Sequence, residues 1–408
     1  MKPARLCETT YGQTDARLMA PGDRARAFVG KRGRGWLLEV HHPDPARVEP
    51  PCPHYGHCGG CSWQHLSYPA QLGYKAETVH RMLAAESVLP PVASPSPWLY
   101  RTKVELSFGA SGELGFMRQG RWNQVCPVDS CLIGPPCNHA ALQVTRDWQH
   151  LHALPGWDAR AQTGLLRWLV LRHSSTTGQW LAVLVAQGEV PAAELAIKLT
   201  ERGATGVLLA RQSSTAGAVK PDSVELLAGK DELLERLGQL SFELSWRSFY
   251  QANPPAYLRL LETAKGWAGP VDRLLDLYCG IGTIGLFLEP GQLTGVESVP
   301  EAIENARANA LRNQRSGRFE VGPAEEWPDL SCDLLVLDPP RSGCHPKLIK
   351  RLAAEGPETL LYVSCNPARL AEEMKVLGQR YRLERLQCFD FFPQTPHIEA
   401  LCLLRLKC

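Results

Sequence analysis

Residues 273–288 read RLLDLYCGIGTIGLFL. An apolar run closes on Asp276, Leu277 and Tyr278, then breaks at Gly280 and Gly282 before a second apolar run starts. The first run has the length and composition of a buried strand and the second those of a helix, so the glycines mark a strand-to-helix turn. Gly280 and Gly282 let the backbone approach a ligand closely where that helix begins. The stretch decides the fold because its pattern recurs downstream. LTGVES (293–298), CDLLVLDPP (332–340) and TLLYVSCNP (359–367) are further buried-strand runs. The amphipathic stretches EAIENARANALRNQ (301–314), PKLIKRLAAEG (346–356) and ARLAEEMKVLG (368–378) separate and follow them. Strands alternating with helices predict a doubly wound, Rossmann-like parallel sheet. YRLERLQCFDFF (381–392) and HIEALCLLRL (397–406) have no helix between them, which predicts an antiparallel pair at one edge.

Three strand ends then fall in one crevice. Beside the glycine loop stand Glu297, suited to bridging two ribose hydroxyls, and Asp338, in Asp-Pro-Pro. The loop lacks the third glycine of the dinucleotide spacing, and no phosphate-binding lysine follows it. S-adenosylmethionine therefore fits better than NAD or ATP.

Cys365 ends the strand after Asp338, at the same carboxyl edge. A thiol there suits a nucleophile. C5 of a pyrimidine is too weakly nucleophilic to accept a methyl group unaided, but thiolate addition at C6 makes an enolate whose C5 can attack a sulfonium methyl. A base must then remove the C5 proton. His397 and Glu399 begin the last strand, and Glu399 is the better candidate because it leads directly into it. Amino methyltransferases also use an Asp-Pro-Pro strand end but follow it with an aromatic residue; here Arg341 follows. Carbon methylation is favoured.

Upstream, CPHYGHCGGC (52–61) sets Cys52, Cys58 and Cys61 close enough for three thiolates to converge on one metal centre. Cys126, Cys131 or Cys137, or else His54, His57 or His65, offers a fourth ligand, and spacing alone does not separate an iron–sulfur cluster from zinc. Short apolar alternations within 19–50 predict a small β-element, which would be an RNA-binding barrel only if it closed. Its basic run Lys31-Arg32-Gly33-Arg34 could follow a phosphate backbone. Residues 68–88 have helical character, and RTKVELSFG (101–109), LLRWLVLRHS (165–174), WLAVLVAQG (180–188) and GVLLARQ (206–212) predict a mixed α+β unit. The expected division is a β-element in 1–50, a central unit in 51–245 and a catalytic unit in 246–408.

Together, LDLYCGIGTIGLFL, LDPPRSG, YVSCNPARL, PQTPHIEALCLL and the upstream SFYQAN (248–253) resemble the RNA 5-methyluridine methyltransferase family. The resemblance implies a class I methyltransferase domain, with Cys365 as nucleophile and Glu399 as base. It also implies that Gln251, Tyr278, Thr283, Glu297 and Asp338 line the S-adenosylmethionine site and that Phe249 stacks near a flipped base. The cysteine pattern resembles that of the ribosomal-RNA members, which carry a [4Fe-4S] cluster. Their fourth ligand follows a segment like Val128-Asp129-Ser130-Cys131, which implies Cys131 here. PGDRARAFVGKRGRGWLLEV (21–40) is similar to the latter part of a TRAM-like RNA-binding barrel, whose first strands are not recognisable. The implied substrate is a uridine of 23S rRNA. Transfer-RNA uracil and RNA cytosine methylation are the enzymatic alternatives, and an inactive iron–sulfur RNA-binding protein is the third. Cys344, where the family usually has an aliphatic residue, reads as packing but keeps the cytosine alternative open.

Composition bounds the remaining expectations. With 408 residues, 44% of them hydrophobic and 21% charged, the chain is in the ordinary globular range, and no run approaches the ~20 apolar residues of a membrane span. A net charge of +2 neither demands nor excludes a polyanionic partner. The first residues lack the apolar core of a secretory signal, so a cytosolic monomer with RNA, and neither DNA nor membrane, as partner is expected. In that reducing setting the 14 cysteines serve as ligands, nucleophiles or packing rather than as disulfides.

Overall fold

The computed structural model describes residues 5–10, 15–29, 34–83 and 88–407. Its C-terminal part is an eight-stranded sheet in the order Arg318–Val321, Gln292–Glu297, Arg273–Leu277, Leu334–Leu337, Thr359–Ser364, Glu399–Leu406, Tyr381–Phe389, Leu89–Val92. The first five strands run parallel. They are the buried runs read from the sequence. Leu334–Leu337 and Thr359–Ser364 are buried at every position, as expected of strands covered on both faces by helices. The mixed α/β architecture with a Rossmann-like sheet is thus present.

Four helices of this unit start in the same way. Pro254, Pro300, Pro346 and Pro367 sit in the first turns of helices Pro254–Ala268, Pro300–Arg312, Pro346–Glu355 and Pro367–Leu377. Proline fits there because its fixed φ suits a helix and its missing N–H would have had no partner. The result is abrupt strand-to-helix turns along one edge.

The last two strands pair antiparallel, but not at the edge. Glu399–Leu406 lies between Thr359–Ser364 and Tyr381–Phe389, and Leu89–Val92 adds itself parallel to the outer side of Tyr381–Phe389. The reason is burial. Six consecutive residues from Glu399 to Leu404 are buried, the pattern of a central strand, whereas Tyr381–Phe389 mixes buried and exposed positions.

The middle of the chain forms a seven-stranded sheet in the order Ser223–Gly229, Gly206–Arg211, Trp180–Ala186, Leu166–His173, Lys103–Phe108, Leu114–Met117, Val125–Pro127. Helices Asn138–Leu151 and Ala192–Glu201 bury Leu142, Trp148, Leu195 and Leu199 in its core. Parts of segment 51–245 pack elsewhere. Helix Tyr68–Leu83 sets Val79 into the core of the C-terminal sheet, and its Lys75 makes a buried ion pair with Asp390. The hairpin of Glu232–Leu237 and Leu240–Ser245 buries Leu237, Leu240, Phe242 and Leu244 in the same C-terminal unit.

The N-terminal strands Arg5–Thr10, Asp15–Arg17, Arg24–Val29 and Arg34–His42 form one sheet. Among the described residues no pairing closes it into a barrel; Lys31, Arg32 and Gly33 lie outside them. Arg47 ties this sheet to the cysteine segment through Asp23, with an Nη2–Oδ2 distance of 2.6 Å. Among the described residues no helix is long and apolar enough to cross a membrane.

Candidate active site

Strand register builds the site. Leu277 is opposite both Val296 and Leu337, so Tyr278, Glu297 and Asp338 follow in line along the carboxyl edge. Leu337 is opposite Tyr362, and Cys365 therefore stands two positions further out than Asp338. Ser364 pairs with Ala400 in the neighbouring antiparallel strand. Continuing that register by one position sets Cys365, just past its strand, beside Glu399, the first residue of its own.

Electrostatics report the same closeness. Glu399 is only 4% exposed; burial first, then the charge of Asp338, lifts its carboxyl well above the usual range. Burial lifts Asp338 to about 7. The Cys365 thiol is pushed up to about 11 by burial first, then by Glu399 and Asp338, with Arg341 pulling it back. Cys365 directly precedes Asn366, whose side chain caps helix Pro367–Leu377 and donates to the carbonyl of Arg341 at 2.9 Å. The thiol thus sits at a helix N-terminus, where partial positive charge favours the thiolate.

The glycine loop has the shape of a cradle. Gly280 has φ +54° and open space where a Cβ would project. Gly282, at φ +82°, caps the short helix Thr283–Leu288, and Thr283 is buried there. Tyr278 is held in the left-handed region at φ 65°, a strain that non-glycine residues accept mainly at functional positions. Its hydroxyl accepts from the backbone N–H of His345 at 3.2 Å. Glu297 spends one carboxylate oxygen on the N–H of Val299 at 3.0 Å, which fixes the side chain at its strand end. Gln251 lies in the loop between strand Leu240–Ser245 and helix Pro254–Ala268, its carbonyl accepting from the Thr102 hydroxyl at 3.4 Å. Tyr278, Glu297 and Asp338 thus share one carboxyl edge with the open space over Gly280.

Two residues went unread in the sequence. Asp276 is buried, accepts from Gly285 N–H at 3.0 Å through Oδ2, and leaves Oδ1 without a partner. Burial lifts it to about 8. Tyr257, on the helix after Asn253, lies close enough to Asp338, Asp276 and Glu399 for their charges to raise its phenol beyond what burial does. Both sit within apolar periodic runs and read as core. His397, the other base candidate, is exposed, two residues before the buried Glu399. Cys344 is 2% exposed and lies 3.6 Å from the hydroxyl of Tyr362, inside the protein.

A separate cavity of about 720 Å³ runs from the cysteine segment to the residues just before Glu399. Cys52, Cys58, Cys61 and Cys131 line it, and so do Phe249 and His397. Phe249 is 79% exposed, its ring free to stack. Cys365 is not among the lining residues, whereas Thr395, Pro396 and His397, just ahead of Glu399 in the chain, are. Burial and neighbouring cysteines push Cys58 up to about 11 and Cys61 up to about 12, while Cys131 is raised by burial and by Cys52. Cys137 is raised by burial alone, and it and Cys126 do not line the cavity. His65 bonds to the Tyr55 hydroxyl instead. Convergence on a single ion is not met: among the described residues no three His, Cys, Asp or Glu side chains are grouped to hold a metal ion.

Comparison with known proteins follows the same lines. Residues 310–407 match the family model described as tRNA (Uracil-5-)-methyltransferase. An uncharacterised RNA methyltransferase of Halalkalibacterium halodurans is 34% identical over 415 residues, spanning 95% of this chain and 91% of that protein. Another, from Caldanaerobacter subterraneus subsp. tengcongensis, is 35% identical over 405 residues, spanning 93% of this chain and 90% of its own length. Among solved structures, the Pyrococcus abyssi tRNA (uracil-54, C5)-methyltransferase in complex with S-adenosyl-L-homocysteine superposes with a TM-score of 0.83 at 27% identity. That match covers 98% of this chain and 100% of the other.

Proposed function

The chain belongs to the RNA (uracil-5-)-methyltransferase family, S-adenosylmethionine-dependent enzymes, and from that footing we propose that it forms 5-methyluridine in 23S rRNA through Cys365 and Glu399. The observation that carries this reading is the register that sets Cys365 beside Glu399 at the edge holding Tyr278, Glu297 and Asp338. When bound, S-adenosylmethionine supplies a methyl group on a positive sulfur.

The Cys365 thiol releases its proton to water, and the thiolate adds to C6 of a flipped uracil. The C5=C6 pair moves onto C5 and O4 as an enolate, and C5 takes the methyl. Glu399 then removes the C5 proton; its electron pair restores C5=C6, and the C6–S bond breaks with its pair on sulfur. Glu399 returns that proton to the thiolate. One turnover therefore releases one proton. Glu297 is suited to the ribose, Gly280 and Gly282 to the backbone approach, and Thr283, Tyr278, Gln251 and Asp338 to the remaining contacts. Phe249 is available to stack on a base beside the flipped one.

Cys52, Cys58, Cys61 and Cys131 fit a [4Fe-4S] cluster better than zinc. They line one cavity, and their pattern resembles that of family members that carry such a cluster. Such a cluster would pin the loops that line the RNA-facing cavity. The cysteine pattern favours ribosomal RNA. A second reading, transfer RNA, is favoured by the likeness to the Pyrococcus abyssi enzyme. The buried place of Cys344 weighs against a two-cysteine cytosine mechanism.

The test incubates the protein and S-adenosylmethionine with 5-fluorouridine-substituted 23S rRNA and, separately, tRNA. Fluorine at C5 blocks the final proton removal, so a methylated covalent adduct on one RNA, absent with Cys365→Ala, is the expected result. Active wild-type protein without an adduct on either RNA removes the thiol from the mechanism.

A further inference from the structure

The turn leading into Glu399 is organised around Gln394. This residue is 3% exposed and adopts φ +68°, a conformation that a non-glycine side chain holds only when its surroundings impose it. Its surroundings do so. Its carbonyl accepts two backbone N–H groups, from Ser62 and Trp63, each at 3.0 Å. Its own N–H donates to Oε1 of Gln71 at 2.9 Å, and its Oε1 accepts from Nε2 of Gln71 at 3.0 Å. Gln71 is itself fixed, since Nε2 also donates to the carbonyls of Trp63 and Leu66 at 3.1 and 3.0 Å. The Gln71 amide thus brackets Gln394 from helix Tyr68–Leu83, accepting from its backbone N–H and donating to its side-chain oxygen, directly beside the segment that follows Cys61, while Nε2 of Gln394 turns to the carbonyl of Pro97 at 3.5 Å.

The rest of the turn is held less directly by side chains from other elements. Tyr100 donates to the carbonyl of Pro393 at 3.0 Å, Asn253 to that of Phe391 at 3.2 Å, and Lys75 to that of Phe392 at 3.1 Å. Gln394 bonds with both its backbone and its side chain to one residue of the N-terminal half, Gln71, whereas Asp390 at the start of the turn divides its bonds between Val92 and Lys75. Such a polar network, once fully satisfied, holds one conformation against its alternatives.

We propose that Gln394, through its amide pair with Gln71, is the positioning residue that fixes Glu399 for removal of the C5 proton. The proposal rests on the reading of Glu399 as base. A base acts after thiol addition and methyl transfer, so a misplaced Glu399 leaves those two steps intact and slows only the elimination, in which the C5 proton passes to Glu399 and the C6–S pair returns to sulfur.

The test uses Gln394→Gly, which suits φ +68° and keeps the backbone bonds while deleting the side-chain amide, and Gln71→Met, which removes the pair from the helix side. On 5-fluorouridine RNA both variants are expected to form the Cys365 adduct at the wild-type rate. On ordinary uridine RNA the methylated adduct should accumulate. Because methyl transfer is irreversible, kcat and KM should fall together, about 10- to 100-fold, with kcat/KM unchanged. A loss of kcat/KM without adduct, a change in melting temperature alone, or loss of folded protein in both variants overturns the proposal. Wild-type protein that forms no adduct on the fluorinated RNA instead sinks the reading of Cys365 and Glu399 on which it stands.

Discussion

A thiol flanked by two acids in a partly closed crevice is a poor nucleophile until something changes its charge balance. Burial, Glu399 and Asp338 all act against ionisation of Cys365, and a backbone N–H at Cys365 and Arg341 act more weakly for it. In the free protein Cys365 is therefore a thiol at neutral pH. Its alkylation by iodoacetamide, followed peptide by peptide by mass spectrometry, should rise with pH well past the ordinary cysteine value of about 8.5. The sign of one substitution is determined: Glu399→Gln removes a neighbouring negative charge and should move the midpoint down. A midpoint at or below the ordinary value in the wild-type protein would contradict this account.

At the scale of the element, strand-to-helix turns do the positioning. Asn366 shows how: it ends the strand, caps the next helix and ties Arg341 to the turn, so that the thiol one residue earlier has little freedom. Asn366→Ala should cost about 1 kcal/mol of stability from the cap. It should also slow adduct formation on fluorinated RNA, because the tie to Arg341 goes with it; chemical denaturation and adduct kinetics measure the two separately. A cap that mattered for stability alone would leave the kinetics untouched. Pro367, Pro346, Pro300 and Pro254 make these turns recognisable in the sequence, since proline in a helix's first turn is local chemistry. The turn at Gln394 carries no such mark: a glutamine at φ +68° is dictated by partners elsewhere in the chain.

Across the whole molecule, the N-terminal half is built into the catalytic unit rather than appended to it. Leu89–Val92 is the eighth strand of the C-terminal sheet, and helix Tyr68–Leu83 packs on the helix that follows Cys365. Lys75 and Asp390 seal that contact at 2.7 Å with both side chains inaccessible to solvent. Removing one partner of a buried pair strands the other charge, so Lys75→Met should destabilise by roughly 3–5 kcal/mol in denaturant titration. Lys75→Met combined with Asp390→Leu should recover most of that loss, because no charge is then left buried. If the double variant is as unstable as the single one, packing rather than charge holds the two halves together.

What the sequence determined by itself is what depends on near neighbours in the chain. Buried runs alternating with amphipathic helices specify the parallel sheet, and Gly280, Gly282, Asp338, Cys365 and Glu399 stand out as candidates because they fall at or just beyond strand ends. Other features depend on residues far apart. The insertion of Glu399–Leu406 inside the sheet, the edge strand donated by Leu89–Val92, the orphaned Oδ1 of Asp276 and the pairing of Gln71 with Gln394 carry no local signature. They arise when distant segments compete for the same buried surface and the same hydrogen-bond partners. Tertiary packing settles that competition because it alone decides which polar groups lose water and which find a partner.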